Sequence, residues 1–508
     1  MFHRLVRLLP LKWVDYLMQR KAGDLAFMKK TLVETDPNDF ENISERKALQ
    51  SFSRALRIPA YRAFLRRKKV NVNAIRSFSD FLKKVPVSTK KNYVKRAKDL
   101  KSRSVDGDLD ACGFLARSSG YSGKSTTWGK SRKELEASKH FASAALDLFY
   151  NVTKKKTLVI DSFALGSWVS GVDLLYVMNG HTTIIAPGAD IDESLSVFQD
   201  LYSEFDQVII ASTPHFMKAM VEEGVRRRVP FKKTTVHLIL SAEAFPEEWR
   251  VHMHTLLGGR KQKGTIYSAF GSSDLGVTGV NETKNSSALR ALCLKNKKLR
   301  KEIYGKYSEI LPHLFQYDPT KFLIETNEKQ ELIFTNCDQH ALMPLIRYNI
   351  HDIGYVFRHD EMKEILKECG IRMRLEMPLP FVFVVGRSDG TVNFIGQLIY
   401  PEYIHKVLYS RQELRKLVTG IFKLRKEYDK NHNPFLHVDL HLQKGVSKSK
   451  KIERMFHHAV ERFFLDLSSD FGVHFDLLQK KTKKHPLVVN IFEHDKYPHN
   501  DGIKVKYL

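Results

Sequence analysis

The sequence predicts an α/β protein: a large N-terminal α/β domain with mostly parallel sheets, then a small mobile α+β C-terminal domain. Three observations predict it. From Cys112 onward, short apolar runs alternate with helix-length amphipathic segments, the texture of strand–helix–strand units around a buried sheet. After the turn Gly386-Arg387-Ser388-Asp389-Gly390 the pattern changes to a hairpin, a helix, two strands and a further helix. The chain has 508 residues, 43% of them hydrophobic, which is ample for two to four units with substantial cores.

Taken in order, residues 1–75 form a helical, basic extension, with apolar positions at helical spacing in 45–56, and the same spacing recurs just beyond it in 75–82. Residues 76–385 form the large domain. CGFLA (112–116), TLVIDSF (157–163), TTIIAPG (182–188), QVIIAS (207–212) and VHLILSA (236–242) read as buried strands. Residues 133–149, 193–205 and 214–225 read as the helices between them. A more β-rich stretch follows, with FLIET (322–326), ELIFTN (331–336) and PFVFVV (380–385). Residues 386–508 form the small domain: hairpin 391–400, helix 401–409, strands 418–424 and 435–443, and helix 450–468.

Composition excludes several classes. With 83 Lys+Arg against 57 Asp+Glu the formal charge is +26. Yet the basic residues lie in short scattered runs such as 66–69, 154–156 and 226–228, without zinc-finger spacing, aromatic interleaving or heptads. This reads as solvated surface, with no specific nucleic-acid partner. No uncharged apolar run reaches the length of a spanning helix, and Asp15 interrupts the amphipathic N-terminus, so neither a transmembrane segment nor a signal peptide is expected. Cys112, Cys293, Cys337 and Cys369 lie far apart with no CxxC pair. That fits a reducing, cytoplasmic setting and neither a disulfide framework nor a zinc cage.

The most informative segment is Ser118-Ser119-Gly120-Tyr121-Ser122-Gly123-Lys124-Ser125-Thr126, directly after a strand. Its small residues let backbone N–H groups approach phosphate oxygens, and its hydroxyls and lysine add donors. Two rival motifs exist. Gly123-Lys124-Ser125 matches the end of a Walker loop, but the first glycine is missing and Thr126-Thr127-Trp128-Gly129 has a strand or turn pattern where a helix is required. Gly386-Arg387-Ser388-Asp389-Gly390 satisfies the serine-hydrolase GxSxG pattern, but a strand pattern again follows.

In their order along the chain these segments resemble the adenylate-forming superfamily of acyl-CoA synthetases and peptide-synthetase adenylation domains, in particular its phenylacetate–CoA ligase-like branch. SSGYSGKST resembles the pyrophosphate loop of that family. Ser241-Ala242-Glu243 stands where the family has a Gly-Gly-Glu-like turn, and Phe270-Gly271-Ser272-Ser273-Asp274 matches its Tyr-Gly-x-Thr/Ser-Glu motif. Asp352 stands at the ribose-binding position, and Gly386-Arg387-Ser388-Asp389 at the hinge. The resemblance covers roughly residues 75–508.

It implies ATP-dependent activation of a carboxylic acid as an acyl adenylate, with pyrophosphate released and the acyl group passed to a thiol, coenzyme A by default. Ser118, Ser119, Gly120, Ser122, Gly123 and Lys124 would hold the β- and γ-phosphates, and Ala242, Glu243, Phe270 and Gly271 would lie beside the nucleotide. Ser273 would bond the α-phosphate and Asp274 would hold Mg2+, while Asp352 takes both ribose hydroxyls and Arg387 adds a cation. Asp389 would be the hinge of the C-terminal domain, and a lysine near the C-terminus would act in catalysis. Here that lysine is Lys504, shifted one residue because Ile503 follows the glycine, with Lys506 next. Tyr121, Ser125, Phe270 and Asp274 also depart from the family pattern. The acyl pocket would take Phe163, Trp168, Ser241 and Tyr267, a lining suited to an aromatic acid among others. Asp161 is the one buried acid that could pair with an amino-acid substrate, and His215 is a further neighbour. Transfer to an acyl or peptidyl carrier protein or to an amine, and a non-catalytic nucleotide-binding relative, are the alternative readings. The sequence assigns no oligomeric state.

Overall fold

The computed structural model describes residues 9–497 apart from 119–125, 167–168, 277–278, 310, 389, 411 and 467–468. Its N-terminal helices, Leu11–Arg20, Leu25–Glu34, Pro37–Ala55 and Pro59–Arg67, start at local signals: Asp24 and Asp36 accept backbone N–H groups of the first turns, and prolines stand at the start of the latter two. Their apolar faces do not form a separate bundle. Phe52, Ala55, Ile58, Tyr61, Phe64 and Leu65 share one core with Phe315, Phe334 and Tyr348 from far along the chain. The third and fourth helices are therefore part of the large unit's core, Leu25–Glu34 packs Met28 and Leu32 against Ala144, and Leu11–Arg20 rests Val14 on Ile43. Helix Phe78–Lys84, closed by a Ser77/Asp80 capping box, leads into the two-residue strand β1 (Ser88–Thr89).

Strands β2 (Cys112–Ser118) and β3 (Thr126–Ser131) pair with each other alone, antiparallel. CGFLA is thus half of a hairpin rather than a buried sheet strand, and Leu115 is 49% exposed. Because β3 follows residues 119–125, the helix that a Walker loop demands is absent.

A five-stranded sheet follows, made of β4 (Thr157–Asp161), β5 (Thr183–Ile185), β6 (Gln207–Ser212), β7 (Thr235–Leu240) and β8 (Ile266–Ser268). All its pairs are parallel, in the order β5-β4-β6-β7-β8. Helices Val169–Met178, Ile191–Leu201, Pro214–Arg226 and Glu247–Leu257 connect successive strands. Strands covered by helices on both faces need no polar alternation, which is why TLVID and QVIIAS are buried throughout.

The parallel expectation applies to this sheet. The β-rich stretch folds as β9 (Val280–Asn281), β10 (His313–Tyr317), β11 (Phe322–Thr326), β12 (Glu331–Asn336), β13 (Tyr348–Phe357) and β14 (Phe381–Arg387), in the order β11-β12-β13-β14-β10-β9. Apart from β1, which lies parallel to β13, the strands pair antiparallel. The connection between β11 and β12 is only residues 327–330, too short for a parallel crossover. Gly354 is needed where β13 crosses β14, because a Cβ there would sit 2.1 Å from the Phe383 carbonyl oxygen.

The C-terminal unit begins with the hairpin β15 (Val392–Phe394) and β16 (Gln397–Ile399). Ile395 and Gly396 both have positive φ (44° and 82°), the geometry of a tight two-residue hairpin turn. Helix Pro401–Ser410 precedes β17 (Val418–Tyr428) and β18 (Pro434–Leu442). Helices Lys450–Leu465 and Ser469–Thr482 then return the chain to β19 (Leu487–Phe492), parallel to β18. One core, from Val392 to Ile491, belongs to this unit alone. A strand follows Ser388 where a hydrolase elbow needs a helix, and the Ser388 hydroxyl donates to Glu331. Among the described residues no helix is long and apolar enough to cross a membrane.

Phe64 is 1% exposed in the shared core. Phe64→Ala is expected to lower the stability of the large unit by about 3–5 kcal/mol, read as a shift in the urea midpoint. A shift confined to a minor, separate transition would contradict the shared core.

Candidate active site

Parallel strands deliver their carboxyl ends to one edge, and that edge is where α/β sheets bind ligands. Here the residues just beyond β4 (Ser162, Phe163, Ala164), at the end of β6 (Ser212, Thr213), after β7 (Ser241 to Ala244) and from the end of β8 onward (Ser268 to Asp274) line one cavity of about 810 Å³. The antiparallel sheet closes a second side with Tyr348 to Asp352 and Val384 to Arg387. The C-terminal unit contributes Thr391 to Asn393, Lys423 to Lys426, Phe471 and His474.

The turn after β7 is held from several directions. Ser241 Oγ donates to the Ala269 carbonyl at 2.9 Å, joining the ends of β7 and β8. Ala242 has φ +74°, a left-handed conformation that favours glycine and costs an alanine of order 1 kcal/mol. Beneath it Glu243 is buried, with His215 Nδ1 at 2.8 Å and Lys426 Nζ at 3.3 Å. Burial alone would raise the Glu243 carboxyl, but Lys426 and His215 outweigh it and hold it at about 2.

The segment after β8 forms a tight loop. Ser272 N donates to the Gly276 carbonyl at 3.2 Å and Gly276 N returns to Ser272 at 2.7 Å. Ser273 and Asp274 stand at its tip. Ser273 Oγ donates to the Arg117 carbonyl at 3.2 Å, so the loop leans on the β2–β3 hairpin. Asp274 Oδ2 accepts the Tyr348 hydroxyl at 2.7 Å, while Oδ1 lies 3.7 Å from Lys90 Nζ. Lys90 Nζ also donates to Ser118 Oγ at 2.8 Å. This lysine thus bridges the base of the Ser/Gly-rich loop and the Ser273–Asp274 tip.

Asp352 and Arg387 face each other as cross-strand partners of β13 and β14, beside a register shift at Ile353/Gly354. Both line the cavity. Below the cavity lies a buried charge network. Arg290 Nη1 binds Glu247 at 2.7 Å, Arg250 Nη2 reaches Glu247 at 3.0 Å and Glu282 at 2.8 Å, and His313 Nδ1 lies 3.0 Å from Glu282. The network also carries backbone: Arg290 Nη2 donates to the Phe245 carbonyl, Arg250 to that of Ile266, and Ser268 N donates to Glu282. Burial, then the adjacent Arg290, pushes His313 down to about 4, so the ring is neutral among two guanidiniums and two carboxylates.

Of the residues expected from sequence, Ser118, Phe163, Ser241, Ala242, Glu243, Phe270, Gly271, Ser273, Asp274, Asp352 and Arg387 all line this cavity. Tyr267 is not on its wall and packs against Phe149 with ring centroids 6.2 Å apart. Asp161 is fully buried, absent from the lining, and pushed up to about 7 by burial, so its carboxyl offers no ammonium site to the cavity. Ser119, Gly120, Ser122, Gly123, Lys124, Trp168, Asp389 and Lys504 lie outside the described residues. Lys90 and Lys426 carry no motif in the sequence, where each is one lysine among many. Only the pairing of β1 with β13 and the docking of β17 bring them to the cavity.

No protein-family model matches the chain, and no curated protein matches it in sequence. Solved structures do match in shape. A 2-hydroxyisobutyryl-CoA ligase in complex with 2-HIB-AMP and CoA, in the thioesterification state, superposes with a TM-score of 0.62 at 14% identity, over 92% of this chain and 88% of that one. The same ligase in an open conformation, again with 2-HIB-AMP and CoA, gives 0.52 at 13% identity over 92% and 91%. In its postadenylation state with 2-HIB-AMP it gives 0.50 at 13% over 92% and 88%. The chain shares the fold of these adenylate-forming ligases.

Burial holds His313 near 4 and His474 near 3, against 6.5 for a free imidazole. The unfolded chain therefore binds protons between pH 6.5 and 4 that the folded chain refuses, and stability falls as pH drops through that window. His474→Gln should flatten the fall by up to about 1.4 kcal/mol per pH unit, measured by denaturant melts at pH 7, 6, 5 and 4. An unchanged slope would mean that His474 is not held neutral.

Proposed function

We propose that this protein is an ATP-dependent adenylate-forming ligase, which activates a carboxylic acid as its acyl adenylate and transfers the acyl group to an acceptor thiol, coenzyme A first. The observation that carries the reading is the convergence of Ser273, Asp274, Asp352, Arg387 and the Ala242–Glu243 turn on one cavity of about 810 Å³, in a fold shared with such a ligase.

The chemistry follows from charge. A carboxylate oxygen attacks the α-phosphorus of ATP, the bond to the β-phosphate oxygen breaks, and pyrophosphate departs. Two anions must meet, so the site has to position and neutralise rather than deprotonate. Asp352 accepts the ribose hydroxyls, Ser273 donates to the α-phosphate, and Arg387 and Lys90 supply cations at the ribose and phosphate ends. Asp274 suits a magnesium ion: one oxygen is fixed by Tyr348, the other is 3.7 Å from Lys90 and outside its hydrogen-bond range, and Mg2+ asks of a protein little more than one carboxylate beside phosphate oxygens. Bound there, it would neutralise phosphate charge. The residues outside the described set, Ser119 to Lys124 and Lys504, keep their roles as the phosphate loop and the C-terminal lysine in this reading.

The acyl group would lie against Phe163 and Ser241. This largely apolar wall suits an aromatic acid, and the lack of a cavity-facing acid at Asp161 disfavours an amino acid. The greater likeness to the thioesterification state than to the open or postadenylation states supports a transfer-type pose of the C-terminal unit, and coenzyme A is the acceptor in this reading because that ligase carries it. A seam holds the unit in this pose. Lys426 pairs with Glu243, Tyr428 donates to the Ala244 carbonyl at 3.2 Å, Asn393 donates to that of Ala242, and Lys481 meets Glu222 at 2.5 Å.

Carboxylate-dependent ATP–pyrophosphate exchange with pooled aromatic, fatty and amino acids tests the reading. Exchange with at least one pool, abolished in Asp352→Ala and reduced at least tenfold in Lys90→Ala, is the expected result; nucleotide binding without exchange under any pool would favour the non-catalytic alternative. In Lys426→Met the acyl transfer to coenzyme A should fall by a larger factor than pyrophosphate exchange, because the seam is specific to one pose. Equal losses in both half-reactions would remove the seam from the account.

A further inference from the structure

Away from the cavity, three side chains of the C-terminal unit converge with ligand geometry. His457 and Glu461 sit four residues apart on helix Lys450–Leu465 and so share one face of it. His485 lies just before β19. One ligand atom from each of the three lies within 4.8 Å of the others. His485 Nε2 is 2.7 Å from Glu461 Oε1, His457 Nδ1 is 3.8 Å from Glu461 Oε2, and the two rings meet edge to face at 4.3 Å. Each side chain is about a quarter exposed, so an ion could enter and a water could complete its shell.

The outer ring nitrogens are what distinguish this cluster from a casual ion pair. His457 Nε2 lies 3.1 Å from the Leu487 carbonyl oxygen, and a carbonyl can only accept, so that nitrogen carries the proton. In the neutral ring, Nδ1 is then a bare lone pair turned toward a carboxylate and a second imidazole, an arrangement that a cation satisfies. His485 Nδ1 lies 3.1 Å from the same carbonyl oxygen and 3.3 Å from the Leu487 N–H. Phe475 flanks its ring with centroids 5.3 Å apart. A far N–H fixed by a backbone carbonyl, as at His457, is the usual support of a metal-bound histidine.

The geometry points to a divalent cation site formed by His457, Glu461 and His485, with Zn2+ as the ion best matched to two imidazoles and one carboxylate. The bound ion would tie helix Lys450–Leu465 to the entry of β19, closing the edge of the C-terminal sheet. None of the three residues lines the cavity, so the site is independent of the adenylation reading.

The test uses the full chain stripped with a chelator and titrated with zinc chloride by calorimetry, then with cobalt chloride read by visible absorption. One saturable equivalent is expected, with a rise in thermal midpoint on loading. Glu461→Gln and His457→Gln should each weaken zinc binding at least tenfold, with the metal-free fold unchanged by circular dichroism. No saturable equivalent, or wild-type affinity in both variants, would overturn the site. Should one variant unfold, the other alone decides, since each removes a different ligand.

Discussion

The buried exchange of charge among Glu247, Glu282, Arg250, Arg290 and His313 is the constraint on which the cavity depends. Two carboxylates and two guanidiniums balance, and a neutral imidazole fills the remaining place, so the set is electrically closed although nearly all of it is shielded from water. Its members come from the antiparallel sheet (His313 on β10, Glu282 directly after β9) and from the helices Glu247–Leu257 and Lys284–Lys295. Their hydrogen bonds end on the backbone of Phe245, Ile266 and Ser268, the very segments that turn into the cavity. Removing one partner would leave an uncompensated buried charge, a loss of about 3–5 kcal/mol. The turn Ser241–Glu243 can hold alanine in a left-handed conformation because the surrounding structure over-determines it.

A second layer of charge joins the two units. Glu243 faces Lys426 across the seam, and Lys218, 2% exposed, reaches Asn433 at 3.0 Å and Glu222 at 2.7 Å. Contacts of this kind are strong when desolvated and vanish when water enters. The seam therefore holds this pose through paired charge and hydrogen bonds at these positions.

Much of the fold is legible in the sequence because it is written in local chemistry. Runs such as TLVID and QVIIAS, short and rich in β-branched residues, have the pattern of strands covered on both faces, and the helices begin where Asp, Ser or Pro signals stand. The antiparallel character of the second sheet is less visible, since it depends on connection lengths between runs that look alike. The site residues of the short motifs are legible through their order along the chain. Tyr267 shows the limit: on a strand, alternate residues face opposite ways, so a neighbour of Ser268 can belong to the core instead of the cavity. Lys90 and Lys426 carry no spacing signal, because distant segments meet at the cavity, and of the metal-ligand cluster only the His457–Glu461 pair is spaced along one helix, His485 joining it from the entry of β19.

In the proposed reaction a carboxylate oxygen of the substrate attacks the α-phosphorus of ATP in this cavity. Oxygen-18 in the carboxyl group of the acid that supports turnover tests it most directly. Since the bridging oxygen stays on phosphorus when the acyl group leaves for the acceptor, one labelled oxygen is expected in each AMP released. Unlabelled AMP, or label in inorganic phosphate formed together with ADP, would contradict it.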